Sequence, residues 1–245
     1  MKLTAIAALF LALVAGTHAD DGESIVGASE GRDLKKIKCV KGWKLNKKKG
    51  ACYRTFTIEV QNSSWKQPFS PYFVMIHDER TTPLYRQGEP AIAPLARLAE
   101  DGNPTPLATW YDGASGVYES FVANGGNPTA PGKSYSFKVT IPYGAKLTLA
   151  SMAINTNDCF VSVNGQDIYD GARFALPGLD AGSEENNESC KSIPGPACTS
   201  SSGNVQSGNG EGFVHIHRGV VGFKDIPVSA DWRNPMAFVS ISVFK

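Results

Sequence analysis

The chain of 245 residues is poor in charge. Charged residues make up only 19% of it, and 24 basic side chains nearly balance 23 acidic ones, so the net charge is +1. A protein that grips DNA or RNA across a broad surface needs a basic field, which this composition does not supply. The composition therefore argues against general nucleic-acid binding.

Long apolar runs are also scarce, and the one of note lies at the start of the chain. A mostly apolar run from Leu3 to Ala15 follows Lys2 and is closed by the small-residue pattern Thr17-His18-Ala19. This order is typical of a secretory signal peptide, and the run is shorter than the roughly 20 residues of a membrane span. We expect residues 1–19 to be a signal peptide and the mature protein to be secreted and not integral to a membrane. An uncleaved anchor is the alternative.

The chain lacks the common catalytic motifs. It has no Gly-x-Ser-x-Gly elbow, no phosphate-binding glycine loop followed by Lys and no His-Glu-x-x-His zinc motif. Outside the predicted signal peptide its histidines are His77, His215 and His217. On a strand, His215 and His217 share a face and can chelate a transition metal, with His77 as a third ligand. Hydrogen-bonded structural histidines are the favoured interpretation, because nothing in the sequence brings His77 near the pair.

Five cysteines favour disulfides in an exported chain. Cys39 and Cys52 are close in sequence, as are Cys190 and Cys198, and we predict that both pairs are closed. Unpaired thiols remain the alternative, because sequence does not establish connectivity. Cys159 is left over, and the apolar residues after it indicate a buried free thiol.

Alternation of apolar and polar residues is the main structural signal, and it is typical of half-buried strands. Turns rich in Gly, Asn and Pro separate the segments, and Ala93–Glu100 is the one good helix candidate. The chain therefore predicts an all-β fold, an antiparallel β-sandwich with little helix. The predicted strands are Phe56–Gln61, Tyr72–Ile76, Tyr135–Ile141, Leu147–Ile154, Phe213–Ile216 and Val239–Val243.

A locally basic segment precedes this pattern. Eight lysines lie between positions 35 and 49. We expect residues 20–51 to form a Lys-rich N-terminal arm and residues 52–245 to form the β-sandwich domain. Lys47, Lys48 and Lys49 are the candidate binding site for an anionic polysaccharide or another polyanion, and a solvated, self-repelling tail is the alternative.

Acidic residues in predicted loops suggest a cation site. Asp158 follows a predicted strand, and Asp180 and Glu184 lie four residues apart in a turn with Gly and Ser. Carboxylates on strand-connecting loops at one end of a sandwich are suitable ligands for Ca²⁺. Spacing alone is a weak signal, and simple solvated loops are the alternative.

Asn62 and Asn187 begin N-glycosylation sequons.

Four separated motifs follow one another along the chain: Ser151–Asp158, Asp180–Glu184, Gly212–Gly219 and Asp231–Pro235. Together they resemble the spondin domain family, a module of extracellular-matrix proteins that also occurs alone in exported microbial proteins. The resemblance covers about Tyr53 to Lys245.

The resemblance implies a secreted β-sandwich, similar to the calcium-dependent membrane-binding sandwiches, that acts in recognition or adhesion and not in catalysis. Its Ca²⁺ would be held by Asp158, Asp180 and Glu184, with Glu184 standing where the family has Asp. Its partner would be an extracellular-matrix or cell-surface ligand, including an anionic glycan. The alternative function is a small exported metalloenzyme or transition-metal carrier that uses His215 and His217, with or without His77.

The motif Asp231–Pro235 is predicted to form a structural corner before the last strand. Trp232 can bury a large apolar area there while its indole N–H finds a partner. An exposed binding site built on Trp232 and Arg233 is the alternative.

Overall fold

Eleven strands, two α-helices and two short 3₁₀ helices (Asn124–Gly126 and Val228–Ala230) make up the regular structure of the part of the chain that is described, residues 37–198 and 205–245 of a computed structural model. The predicted signal peptide and the lysines at positions 35 and 36 lie outside these residues. No helix in the described ranges is long and apolar enough to cross a membrane. The elements are β1 (Lys44–Asn46), β2 (Ala51–Asn62), β3 (Tyr72–His77), α1 (Ala93–Asp101), α2 (Thr105–Tyr111), β4 (Val117–Ala123), β5 (Ser134–Pro142), β6 (Lys146–Met152), β7 (Cys159–Asp167), β8 (Arg173–Leu176), β9 (Leu179–Asp180), β10 (His215–Ile216) and β11 (Ala237–Val243).

The strands form two antiparallel sheets, and the predicted β-sandwich is confirmed. In the first sheet β2 pairs with β1, β5 and β11, and β8 pairs with β11. The second sheet has the order β10-β9-β7-β6-β3-β4. Apolar side chains from both sheets form one buried cluster, which is the core of the sandwich.

Strand β2 shows how the alternating pattern builds the first sheet. Phe56, Ile58 and Val60 are buried, whereas the residues between them face outward or lie at intermediate depth. In the register with β11, Val60 is opposite Val239 and Ile58 is opposite Ile241. Cross-strand pairs of branched apolar side chains on one face stabilise such a sheet.

Strand β3 is buried on both faces, which explains its continuous apolar run. Val74 and Ile76 belong to the core between the sheets, whereas Phe73 and Met75 belong to a second cluster with side chains of α1 and α2. The helices therefore cover the outer face of the second sheet. Helix α1 matches the predicted helix and ends at Gly102, which has φ 66°.

Both predicted disulfides, Cys39–Cys52 and Cys190–Cys198, are closed. Cys159 is free and fully buried, as predicted. Asn62, which begins the first N-glycosylation sequon, is buried. Its side-chain amide donates hydrogen bonds to the backbone carbonyls of Gln67 and Thr129.

Part of the Lys-rich segment belongs to the first sheet. Leu45 of β1 is opposite Cys52 of β2, and the side chain of Asn46 accepts hydrogen bonds from the amides of Lys48 and Lys49 in the connecting turn. The sheet therefore begins before residue 52, where the sequence suggests the start of the domain. A strand of only three residues is too short to show a period in the sequence.

The motif Asp231–Pro235 lies just before β11, and its Trp232 is buried, as predicted for a structural corner. Trp232 is 5% exposed and packs in the core of the sandwich. Its ring centroid lies 5.2 Å from that of His217. Arg233 is exposed and pairs with Asp231.

Candidate metal centre

Strand pairing brings Asp158 and Asp180 to the same place in the second sheet. Asp158 directly precedes β7, and its neighbour Cys159 is opposite Asp180 of β9. The amide of Ala181 donates to the carbonyl of Asp158 at 3.2 Å. Both aspartates are fully buried. Two carboxylates are thus held close together in a low-dielectric environment, where their ionised forms repel each other.

The carboxylate of Asp158 is only half satisfied. Its Oδ2 accepts hydrogen bonds from the backbone amides of Ser183 and Glu184 at 2.8 and 3.0 Å. Its Oδ1 is buried and has no hydrogen-bond partner. Burial and the charge of Asp180 raise the pKa of Asp158 to about 8. Such an oxygen is costly to bury alone and is suited to bind a cation.

Asp180 lies at the centre of the site. Its Oδ1 accepts a hydrogen bond from the amide of Gly182 at 2.8 Å, and its Oδ2 accepts one from the side chain of Asn186 at 2.6 Å. His215 is the cross-strand partner of Asp180 on β10. Burial raises the pKa of the Asp180 carboxyl group.

Both histidines of the His-x-His motif face Asp180. His215 Nε2 lies 3.7 Å from its Oδ1, and His217 Nε2 lies 3.9 Å from its Oδ2. The common direction of the two imidazoles is what the spacing predicts for one strand. The roles of the two rings differ, however, because their other contacts differ.

Glu184 contributes its backbone to the site, but its carboxylate turns elsewhere. Its Oε1 accepts a hydrogen bond from the amide of Ser207 at 2.9 Å, while Oε2 is buried without a partner. Burial is the main cause that raises the pKa of Glu184 to about 7, and the charges of Glu100 and Asp101 add to it. The three predicted ligands therefore do not form one tight cluster here, because the longer Glu side chain reaches Ser207.

The tightest cluster includes a residue that the sequence did not indicate. Among the described residues, one group of three acidic or histidine side chains has ligand atoms within 4.8 Å of one another, and it consists of Asp180, Glu211 and His215. His215 Nε2 lies 3.8 Å from Glu211 Oε2. This arrangement can hold a metal ion. Glu211 lies in a loop before β10, where no periodicity marks it as a ligand.

His217 orients the cluster and does not offer a free nitrogen. Its Nδ1 accepts a hydrogen bond from the amide of Gly219, so its Nε2–H donates to Asn186 Oδ1 at 2.9 Å. Burial lowers the pKa of His217 to about 3, which keeps the imidazole neutral. The side-chain amide of Asn186 in turn donates hydrogen bonds to Asp180 Oδ2 and Glu211 Oε1.

His77 takes no part in the site. It lies on β3, which β6, β7 and β9 separate from β10. Its Nδ1 donates to the carbonyl of Asp78, and its Nε2 accepts from the hydroxyl of Thr148, both at 2.8 Å. A site with all three histidines, which is one of the two forms of the alternative function, is therefore not formed.

A second surface feature lies at the β1–β2 hairpin. A groove of about 870 Å³ is lined by the cations Lys44, Lys47, Lys48, Arg54 and Lys245 and by no acidic side chain. Of the three lysines predicted to bind polyanions, two therefore line this basic groove. Lys49 does not, and its ammonium lies 5.3 Å from the ring centroid of Tyr53.

Comparison with known proteins adds no assignment. No family model matches the chain, and no curated protein matches it significantly.

Proposed function

We propose that the protein is a secreted calcium-binding recognition or adhesion module of spondin type without catalytic activity. The observation that carries this proposal is the pair of buried carboxylates, Asp158 and Asp180, with Asp158 Oδ1 left without a hydrogen-bond partner. A bound cation would remove the repulsion between the two carboxylates and satisfy the free oxygen.

Calcium suits this position because the available donors are oxygens. Asp158 and Asp180 supply carboxylates, and backbone carbonyls and water would complete the 6 to 8 oxygens that Ca²⁺ takes. Glu184 is the third ligand in this proposal. It joins the ion by exchanging its hydrogen bond with the Ser207 amide for a bond to the metal.

Recognition is supported by the surface beside the site. Exposed apolar side chains occur in β10 and in the chain segments before and after it: Phe213, Ile216, Val221 and Phe223 are each at least 42% exposed. Such side chains would contribute to an interaction site. The two disulfides fit an oxidising, extracellular-type environment.

The proposed partner is a matrix or cell-surface ligand, and an anionic glycan is its best-supported chemical class. The support is the basic groove, whose lining carries cations from β1, β2 and the end of the chain. Sulfate or carboxylate groups of a glycan are complementary to such a lining.

Thermal unfolding tests the calcium assignment. We expect millimolar Ca²⁺ to raise the melting temperature of metal-free parent protein, because binding to the native state adds about 2.7 kcal/mol at a hundredfold excess over Kd. Asp158→Asn and Asp180→Asn should lose the response. Asp167→Asn is the matched control, since this carboxylate is 73% exposed and pairs with Lys146. A parent melting temperature that is the same in calcium and in chelator would contradict the proposal.

A further inference from the structure

The geometry points to a second metal site, formed by Asp180, Glu211 and His215, that takes a divalent transition metal of the Zn²⁺ class. This inference goes beyond the proposed function, because Glu211 and His215 have no part in the calcium site. The two sites share Asp180. Its strand β9 pairs on one side with β7, which Asp158 directly precedes, and on the other side with β10, which carries His215.

The tautomer of His215 leaves one ring nitrogen free to bind a metal ion. Its Nδ1 lies 2.9 Å from the carbonyl oxygen of Ile216, and only an N–H can donate there. The Nε2 lone pair is then free, and this atom is buried without a hydrogen-bond partner. It faces carboxylate oxygens of Asp180 and Glu211 at 3.7 and 3.8 Å.

A proton on Nε2 does not explain this arrangement. Distances of 3.7 and 3.8 Å exceed the reach of an N–H···O hydrogen bond. A metal ion between the three atoms does explain it. Ligand atoms on a tetrahedral Zn²⁺ with bonds of about 2.0–2.1 Å are about 3.3 Å apart. The two distances from His215 exceed this separation by about half an ångström or less, and all three ligand atoms lie within 4.8 Å of one another.

A set of hydrogen bonds orients the three ligands. Asn186 donates to Asp180 Oδ2 and Glu211 Oε1, which leaves Oδ1 and Oε2 directed to His215. His217 fixes the orientation of Asn186, and the Gly219 amide fixes the tautomer of His217. Metal-ligating carboxylates and imidazoles characteristically have such outer partners.

The carboxyl groups at the inner side of the site are buried. Asp180 is fully buried, and so is the neighbouring Asp158, whose Oδ1 has no hydrogen-bond partner. Glu211 and His215 are 38% and 28% exposed, so the site is open on one side. Water can occupy the remaining coordination position there, as in three-ligand zinc sites.

The donor set selects the class of metal. One imidazole nitrogen and two carboxylate oxygens suit Zn²⁺ and its first-row neighbours, whereas Ca²⁺ prefers oxygen ligands alone. Two carboxylates also neutralise the charge of a divalent ion.

Titration of metal-free protein with Zn²⁺ against a chromophoric chelator tests the inference. We expect one Zn²⁺ per chain in the parent and at least a tenfold weaker affinity in His215→Gln and in Glu211→Gln. Glu185→Gln is the matched control, since it removes a neighbouring exposed acid outside the cluster and should leave the affinity unchanged. Circular dichroism confirms that each variant is folded.

An unchanged zinc affinity in folded His215→Gln, or the lack of a stoichiometric zinc ion in the parent, would overturn the inference. Calcium melting shifts separate this result from a failure of the proposed function. His215→Gln should keep the calcium response and lose zinc, whereas Asp158→Asn should lose the calcium response and keep zinc. Asp180→Asn should lose both.

Discussion

At the scale of single residues, His77 shows how a buried polar group fits a structural role. His77 is 3% exposed. Its Nδ1–H donates to the carbonyl of Asp78, whereas its Nε2 accepts from the hydroxyl of Thr148. Thr148 Oγ1 also accepts the amide hydrogen of Gly165. In this network the neutral imidazole accepts the hydroxyl hydrogen of Thr148, whereas a protonated ring would have to donate to Thr148 Oγ1, so that the hydroxyl hydrogen loses His77 as its acceptor.

Acid should therefore destabilise the protein through His77. Burial is the main cause that lowers the pKa of His77 below its ordinary value of 6.5. Below pH 6.5 the imidazole of His77 therefore binds a proton more readily in the unfolded chain than in the native state. The free energy of unfolding is unaffected by this group above pH 6.5 and decreases as the pH falls below it. In His77→Gln this part of the decrease should be absent. Denaturant unfolding at pH 7.5, 6 and 5 measures it, and parallel pH profiles of parent and variant would contradict the assignment.

The residues of the metal centre were predictable to the extent that their neighbours in sequence marked them. Asp158 and Asp180 follow or precede apolar segments, and the His-x-His spacing placed His215 and His217 on one side. Glu211 and Asn186 lie in loops, and only the pairing of β9 with β10 and the loop hydrogen bonds bring them to Asp180. The direction of the Glu184 carboxylate depends on Ser207, which is 23 residues away.

At the scale of elements, the turn after β9 depends on a close approach of two backbones. Gly182 has φ +66°, and a Cβ at this position would lie under 3.0 Å from backbone atoms of Phe213. The amide of Gly182 also donates to Asp180 Oδ1, and its carbonyl accepts from the amide of Gly212. The glycine therefore links the turn to the segment that carries Glu211 and His215.

Gly182→Ala should destabilise the protein and weaken the metal centre. Gly212→Ala is the matched control, because Gly212 also has a positive φ but has open space around its Cβ position. We expect about 1 kcal/mol of destabilisation in the control from backbone strain alone, and at least twice that in Gly182→Ala. Denaturant unfolding and the calcium melting shift measure both effects. Equal losses of stability in the two variants would show that the close approach of Gly182 to the Phe213 backbone adds no cost beyond that of the positive φ.

The lysines of the β1–β2 hairpin are expected to differ in their contribution to polyanion binding. Lys47 and Lys48 line the basic groove, whereas Lys49 lies over Tyr53. Attraction between a polyanion and these ammonium groups is screened by salt, so retention on a heparin column reports it. The double variant Lys47→Ala/Lys48→Ala should elute at lower salt than the parent. Lys49→Ala is the comparison, and a shift as large as that of the double variant would argue against the groove.

Strands with a clear apolar pattern were predictable, whether one face is buried, as in β2, or both faces are, as in β3. The alternation in β2, β5 and β11 predicted their place in the sheet. Strand β7 and the short strand β8 were missed, and so were α2 and β4, which pack against each other through Ser120 and the carbonyl of Ala108. Thr, Trp and Tyr in α2 are weak helix formers, so tertiary contacts decide its conformation.

At the scale of the whole molecule, the two disulfides stabilise different regions. Cys39–Cys52 joins the Lys-rich segment to β2 in the first sheet. Cys190–Cys198 closes a loop between Asn186 and Ser207, the residues that hold Asp180 and Glu184 in place. Both bridges close loops of similar length, so the chain-entropy model gives each a stabilisation of about 2.5–3 kcal/mol.

Removing each bridge should therefore separate stability from metal binding. Replacing Cys190 and Cys198 by Ser should lower stability by about 2–3 kcal/mol and weaken the calcium melting shift, because the loop no longer holds its hydrogen bonds to the site. Replacing Cys39 and Cys52 by Ser should lower stability by a similar amount and leave the calcium shift intact, since that bridge belongs to the other sheet. Melting curves of both variants with calcium and with chelator measure the two effects together. An equal calcium shift in the two variants would mean that the loop closed by Cys190–Cys198 does not position the ligands, and that the turn after β9 organises them without it.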